Sequence, residues 1–199
     1  VLPEQETTAD EDKITYDWRL VDGALESVDR TKDERAAKSK HARPNREALL
    51  RYLRPLSDGE QVSLEFYHEP GKHTIAPALG RIAMLPGDGK VALHWITADP
   101  AGIATGVDDS NRVFDEQAEQ LQTVALKDND WNQLTLKLDG DVVTLAVNGQ
   151  DTYRRTWEAE AGRQFGLFRD PTQFHVRVRN WKLSGPWPEK LPGDLFELK

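Results

Sequence analysis

Two hairpin signals in the last third of the chain constrain the fold most. The dipeptides Asp139-Gly140 and Asn148-Gly149 each lie between segments in which apolar and polar residues alternate. Such dipeptides readily adopt the positive φ angles that two-residue hairpin turns require. Residues 131–187 are therefore predicted to form a series of antiparallel strands.

Shorter alternating segments extend this pattern over most of the chain. In residues 61–69, for example, Val62, Leu64 and Phe66 would share one face of a strand. Further strands are predicted at 16–20, 24–28, 49–56, 78–85, 90–97, 124–126 and 165–168. Many short strands with frequent turns predict an all-β fold, an antiparallel β-sandwich of the jelly-roll type.

The last strand is predicted to contain a β-bulge. Val176 and Val178 share one face, whereas Trp181 and Leu183 continue out of step with them. One extra residue in an antiparallel strand produces this change of parity. We expect the bulge near Asn180.

Composition and charge exclude several classes of function. The formal net charge is −8, and an acidic chain lacks the field that concentrates nucleic acid, so no nucleic-acid partner is expected. The absence of cysteine excludes disulfides, thiolate nucleophiles and thiolate metal sites. No segment approaches the ~20 apolar residues that span a bilayer.

Two regions are predicted in the chain. Residues 1–13 are acidic and almost free of apolar residues, which is typical of a flexible tail. Residues 14–199 are predicted to form a single β-sandwich domain, since sandwiches of this length commonly do. The chain begins with Val1 and has no signal peptide, so we expect it to be part of a longer protein.

Several motifs resemble known families. The residues Trp131-Asn132-Gln133-Leu134, Val147-Asn148-Gly149 and Phe165-Gly166-Leu167-Phe168, with the closing strand 178–183, resemble concanavalin A-like lectin/glucanase sandwiches. That superfold is shared with laminin-G-like modules and with the family named for 3-keto-disaccharide hydrolysis. It hosts lectins, hydrolases and adhesive modules alike, so the resemblance implies a fold more than an activity.

A second resemblance is more particular. Ala78-Leu79-Gly80-Arg81, Leu93-His94-Trp95 and Gly185-Pro186-Trp187-Pro188 are similar to a planctomycete family, domain of unknown function 1583, over residues 18–191. This resemblance implies a sandwich within a larger protein that is exported or lies at the cell surface.

Glu65, Tyr67 and Glu69 lie at alternate positions, hence on one face of a strand. Glucanases of the resembled superfold place Glu, Asp and Glu at this spacing, and retaining glycosidases need two carboxyl groups ~5–5.5 Å apart. Here Tyr67 replaces the central Asp, and Pro70 indicates the end of the strand. Glu65 and Glu69 are therefore candidate catalytic groups, with a plain polar strand face as the alternative.

His94 is a candidate ligand-binding or acid/base residue. It lies between apolar neighbours, and it would project from the surface opposite Trp95 if Trp95 faces the core. The alternative is a histidine that forms hydrogen bonds within a sheet.

A basic stripe consists of His175, Arg177 and Arg179. Arginine forks suit anions, so this stripe could hold an acidic sugar or a carboxylate. The alternative is cross-strand pairing with Glu65 or Glu69. The stripe, Tyr67 and His94 are the predicted ligand-binding residues.

Other candidates are less specific. Asp108 and Asp109, in an aperiodic segment, could supply oxygen ligands for calcium, but they lack the spacing of a dedicated calcium loop, so no metal or cofactor is expected. Trp157 and Trp187 could form a platform for sugar stacking. The other tryptophans with assigned positions are predicted to lie in the core: Trp18, Trp95, Trp131 and Trp181.

The leading functional prediction is a non-catalytic binding module with a polysaccharide or glycan as partner. One alternative is a glycoside or 3-keto-glycoside hydrolase that uses Glu65, Glu69 and His94. Another is a structural spacer in a cell-surface protein. A large separation between the candidate hydrolase groups would argue against the enzyme.

Overall fold

The chain forms two antiparallel sheets that pack face to face. The computed structural model describes residues 18–27, 48–71, 75–87, 89–96, 112–113, 119–169 and 176–186. The strands in chain order are β1 (Trp18–Val21), β2 (Ala24–Ser27), β3 (Ala48–Pro55), β4 (Gln61–His68), β5 (Ala76–Leu79), β6 (Ile82–Gly87), β7 (Lys90–Trp95), β8 (Arg112–Val113), β9 (Glu119–Gln120), β10 (Asp130–Asp139), β11 (Val142–Val147), β12 (Gln150–Thr156), β13 (Gln164–Arg169) and β14 (Arg177–Ser184). The predicted all-β sandwich is confirmed.

The strand order shows the jelly-roll connectivity. One sheet has eight strands in the order β1-β2-β14-β4-β10-β11-β12-β9, and the other has six in the order β3-β13-β5-β6-β7-β8. The chain passes repeatedly from one sheet to the other, so the two faces between the sheets close over one core. A short 3-10 turn, Ala159–Ala161, connects β12 to β13. In the described part of the chain no helix is long and apolar enough to cross a membrane.

The pairing of β4 with β10 lies at the centre of the eight-stranded sheet. Its register runs without interruption from His68 opposite Asp130 to Gln61 opposite Lys137. The inward residues of the two strands are at most 1% exposed: Val62, Leu64, Phe66, Leu134, Leu136 and Leu138. Burial of each such side chain favours folding by roughly 1.5–3 kcal/mol, so this pair supplies a large part of the core.

The hairpin predictions are confirmed. Asn148 and Gly149, with φ values of 51° and 78°, form the two-residue turn between β11 and β12. Asp22 and Gly23 have φ values of 48° and 77° and connect β1 to β2 in the same way. In the hairpin of β10 and β11, Asp139 pairs with Val142, so the turn residues there are Gly140 and Asp141.

Two strand predictions are wrong. The segment 78–85 is not one strand, because Gly80 has a φ of 57° and starts a turn that separates β5 from β6. Residues 124–126 form no strand; the Val124 amide instead donates to the Gly89 carbonyl at 3.3 Å. The three apolar residues 124–126 therefore form a partly buried loop, which their sequence pattern does not distinguish from a short strand.

The predicted β-bulge is confirmed at the expected position. Asn180 has a φ of 53°, and the register of β14 against β4 shifts between Arg179 and Lys182. The extra residue returns Trp181 to the inner side of the sheet, where its ring contacts Phe165 at 5.1 Å between ring centroids. Trp181 lies at the margin of the core and is 36% exposed, so the predicted core position is wrong. The bulge therefore explains the change of parity in the sequence.

A buried ion pair stabilises the connection between β3 and β4. Both guanidinium Nη atoms of Arg54 donate to Glu60, at 2.6 and 3.0 Å, and the Ser57 amide donates to the same carboxylate at 2.6 Å. The two side chains are only 5% and 1% exposed. The hydrogen bond to Glu60 is the main reason why the pKa of Arg54 is raised above its ordinary value.

Replacement of Gly80 by alanine is expected to destabilise the fold strongly. A Cβ atom there would lie 1.7 Å from the Ala161 carbonyl oxygen, a backbone atom that cannot move alone. We expect a loss of about 3 kcal/mol or more in the free energy of unfolding, measured by urea denaturation. Gly149→Ala is the matched control, because Gly149 also has positive φ but nothing within 4 Å; it should cost about 1–2 kcal/mol. Equal losses would contradict the proposed contact.

Glu60→Gln is expected to lower the free energy of unfolding by about 3–5 kcal/mol, because it removes the carboxylate charge that pairs with the buried guanidinium of Arg54. The control is Asp139→Asn, which removes the ion pair between Asp139 and Lys137. These side chains are 69% and 47% exposed, respectively. That change should cost less than about 1 kcal/mol. Denaturation of both variants under one set of conditions tests the difference.

Candidate functional site

The outward side of the eight-stranded sheet is polar over its central strands. Inward positions of β4 and β10 fill the core, so Ser63, Glu65 and Tyr67 of β4 lie on the outer side. The outward residues of β14, β10, β11 and β12 continue this surface on both sides of β4. We call this surface the polar face.

One end of the polar face carries an arginine–aromatic cluster, formed by Glu65, Tyr67, Trp131, Arg177 and Arg179. Tyr67 and Trp131 are register partners, and their rings meet edge to face at 5.5 Å between centroids. The guanidinium carbon of Arg177 lies 3.9 Å from the Tyr67 ring centroid, and that of Arg179 lies 3.8 Å from the Trp131 centroid. Each arginine is thus stacked on an aromatic ring.

Glu65 fixes one side of this cluster. Its Oε2 atom accepts a hydrogen bond from Arg179 Nε at 2.7 Å and another from Asn180 Nδ2 at 3.0 Å. The bulge at Asn180 places both donors beside β4. The alternative of cross-strand pairing therefore holds for Arg179 and Glu65. Their side chains are 40% and 33% exposed, so the pair contributes little stability but orients the guanidinium.

The other end of the polar face contains a groove of about 430 Å³. Its lining residues project from four neighbouring strands: Gln61, Thr135, Lys137, Asp139, Val142, Thr144, Ala146, Asp151 and Arg154. The charged members form ion pairs, Lys137 with Asp139 at 3.0 Å and Arg154 with Asp151 at 3.8 Å. The lining thus combines hydroxyl, amide and charged groups with two apolar side chains, Val142 and Ala146. We call this the polar groove.

One interpretation of the sequence places His94 on an open surface, but the structure buries it. It is 0% exposed, and its ring stacks on Phe168 with centroids 5.0 Å apart. Its neighbours on the outer side of the six-stranded sheet are buried alanines and Ile96. Trp95, expected in the core, is 47% exposed, because it is the last residue of β7.

The structure does not bring the three hydrolase candidates together. Glu65 lies on the polar face and is bonded to Arg179, whereas His94 belongs to the other sheet. Glu69 follows the last residue of β4, four positions and about 13 Å along an extended chain from Glu65. A pair of carboxylates at the separation of a glycosidase is not formed by this spacing.

The remaining candidates are the calcium and histidine residues and the two tryptophans of the possible sugar platform. His175, Asp108, Asp109 and Trp187 lie outside the described residues. Within the described ranges no group of histidine and acidic side chains is arranged to hold a metal ion. Trp157 cannot be a sugar platform, because it is 2% exposed and its Nε1 atom donates to the Gly162 carbonyl at 2.8 Å.

Trp131 is the residue of the cluster that sequence reasoning missed. The sequence predicts a core position for Trp131, yet this residue lies half-buried on the polar face. Its parity contained the answer, since Leu134, Leu136 and Leu138 are inward and Trp131 is out of step with them. The core prediction follows the general tendency of tryptophan to lie in sandwich cores, which is wrong for this position.

The Trp-Asn and Asn-Gly motifs have a structural role. Asn132 is 0% exposed, and its Oδ1 atom accepts from the Lys127 amide at 2.7 Å and from Asn148 Nδ2 at 2.8 Å. Its Nδ2 atom donates to the Lys127 carbonyl at 3.0 Å. Asn148 also donates to the Ala125 carbonyl at 3.0 Å. Two asparagines thus attach the segment 125–127 to the start of β10 and the turn after β11.

Asn132→Ala is expected to lower the free energy of unfolding by about 2–4 kcal/mol, because it removes a buried side chain that bonds the amide and the carbonyl of Lys127 and the side-chain amide of Asn148. The neighbouring Gln133→Ala removes an exposed side chain and should cost less than about 0.5 kcal/mol. Thermal or urea unfolding of the two variants makes the comparison. Similar losses would show that the asparagine network is not important for stability.

Comparison with solved structures gives limited likeness. A variant of human galectin-16 has a TM-score of 0.47 and 12% sequence identity, over 70% of this chain and 95% of that one. The Caenorhabditis elegans galectin LEC-6 has a TM-score of 0.44 and 13% sequence identity, over 69% of this chain and 89% of that one. Sheep galectin-11 in complex with glycerol has a TM-score of 0.45 and 13% sequence identity, over 70% of this chain and 98% of that one. The sandwich is established by the strand pairings themselves.

Sequence comparison is more informative about the family. No curated protein matches the chain. A family model described as "Domain of unknown function (DUF1583_N)" matches residues 41–190, which include β3 to β14. This match confirms the predicted resemblance to domain of unknown function 1583. The chain belongs to the DUF1583_N family.

Proposed function

We propose that this chain is a non-catalytic carbohydrate-binding module and that the polar face is its binding surface. The observation that carries the proposal is the polar groove, which lies on the same face as the two stacked arginines of the cluster. The six-stranded sheet has no comparable surface in its centre, where the described outward side chains are buried.

The chemistry of the groove suits a saccharide. Sugar hydroxyls both donate and accept hydrogen bonds, and the groove offers an amide at Gln61, hydroxyls at Thr135 and Thr144, and two ion pairs. Val142 and Ala146 provide apolar contact for the C–H groups of a sugar ring. Strands hold these groups in fixed positions, which limits the entropy lost on binding.

A module of this kind needs access to polysaccharide. A location outside the cytoplasm, as the family resemblance implied, would provide that access and remains a prediction. The hydrolase alternative gains no support, because Glu65 and His94 lie in different sheets.

Ala146→Trp is expected to fill the polar groove and to weaken binding of a soluble polysaccharide at least tenfold, about 1.4 kcal/mol. The measurement is calorimetric titration against a panel of neutral and acidic polysaccharides. Ala125→Trp, at an exposed loop position outside the groove, is the matched control and should bind as the unaltered chain does. Circular dichroism checks that both variants are folded.

Two outcomes would contradict the proposal. One is the absence of binding to every member of the panel by the unaltered chain. The other is unchanged affinity after Ala146→Trp, which would place the binding surface elsewhere.

A further inference from the structure

We infer that the polar face recognises an acidic carbohydrate and that Arg177 binds its anionic group. This inference rests on the proposed function, and it adds the chemical class of the ligand. It is carried by the different situations of the two stacked arginines in the cluster. One of them is paired with a carboxylate, and the other is not.

Arg179 is already neutralised. Its Nε atom donates to Glu65 at 2.7 Å, so the charge of the pair is close to zero before any ligand arrives. Arg177 differs, because within the described ranges none of its N–H groups has an acceptor and no carboxylate lies within ion-pair distance. Its cross-strand neighbour Glu26 is engaged by Arg19 at 3.3 Å. Arg177 therefore presents a cation that the described structure does not compensate.

The position of Arg177 prepares it for a ligand. The guanidinium lies 3.9 Å from the Tyr67 ring centroid and 5.9 Å from that of Trp131, so two rings restrict its motion. Stacking occupies the face of the guanidinium and leaves its N–H edge for hydrogen bonds. That edge matches the two oxygens of a carboxylate or a sulfate, and a held side chain loses less entropy on binding than a free one.

The same stacking argues against a neutral sugar at this end of the face. Lectin-like stacking requires an open aromatic face, but guanidinium groups lie over Tyr67 and Trp131. A neutral ring that stacked on the covered face of either aromatic side chain would have to displace its arginine. An anionic sugar can instead use the arginines where they are, while its neighbouring units extend along β4 and β10 toward the polar groove.

The overall charge makes the inference specific to this surface. The chain has a formal net charge of −8, so it repels polyanions in general. Binding of an acidic polymer would therefore require a defined cationic site. A control for general attraction is available on the other sheet, because Arg51 of β3 is an exposed cation for which the described structure shows no ion pair or aromatic contact.

The experiment compares polymers that differ only in charge. Polygalacturonate and alginate are titrated against the unaltered chain beside their neutral, carboxyl-reduced forms. Chondroitin sulfate is titrated beside its desulfated form, which keeps the carboxylates and lacks only the sulfates. The variants are Arg177→Gln, which keeps much of the length of the side chain and removes the charge, and Arg51→Gln as the matched loss of one arginine charge on the other sheet. Titrations at two salt concentrations test for a charge-dependent affinity.

We expect at least one acidic polymer to bind more tightly than its neutral form, with affinity falling as salt rises. Arg177→Gln should weaken that binding at least tenfold and leave binding of the neutral form unchanged, whereas Arg51→Gln should change the affinity less than twofold. The three polymers show whether carboxylate or sulfate is preferred.

Equal binding of the acidic and neutral forms, or an unchanged affinity of Arg177→Gln for the acidic polymer, would overturn the inference and leave the proposed function intact. Binding of neutral polysaccharides alone would have the same effect. Absence of binding to every polymer would overturn the inference and the proposed function together. If Arg177→Gln is unfolded by circular dichroism, Arg177→Lys replaces it, since Lys keeps the charge but not the fork and should lose the preference for carboxylate.

Discussion

The uninterrupted pairing of β4 with β10 is the constraint on which the rest of the structure depends. Because side chains alternate along both strands, this single register places six apolar residues in the core and the opposite row on the polar face. A slip of one position would exchange the two sets. The core and the candidate site therefore cannot vary independently at the centre of the sheet, since both are consequences of the same backbone hydrogen bonds.

Much of the fold could be predicted because alternation is a local property. The positions of most strands, the hairpin turns and the bulge at Asn180 follow from patterns within a few residues. The break between β5 and β6 could not be read in this way. Its cause is the close approach of Gly80 to Ala161, which lies far away in the sequence. The apolar residues on both sides of Gly80 concealed the turn.

The candidate site was predictable only in part, and for a physical reason. The basic stripe at Arg177 and Arg179 could be seen from parity, but its stacking on Tyr67 and Trp131 depends on which strands become neighbours. His94 shows the converse. Its isolation among apolar residues suggested a functional group, yet the structure buries it against Phe168. Sequence alone does not say which outward face of a sandwich is itself covered.

The bulge at Asn180 has a consequence for how related sequences are compared. Upstream of it, odd-numbered residues of β14 point to the polar face, and downstream of it Lys182 and Ser184 do so. One added or missing residue between Val178 and Trp181 would invert the second half of the strand, with tryptophan facing solvent and lysine facing the core. In an alignment, a gap at this point would exchange the positions of β14 that face the core with those that face solvent. The length of this short stretch is thus as informative as its composition.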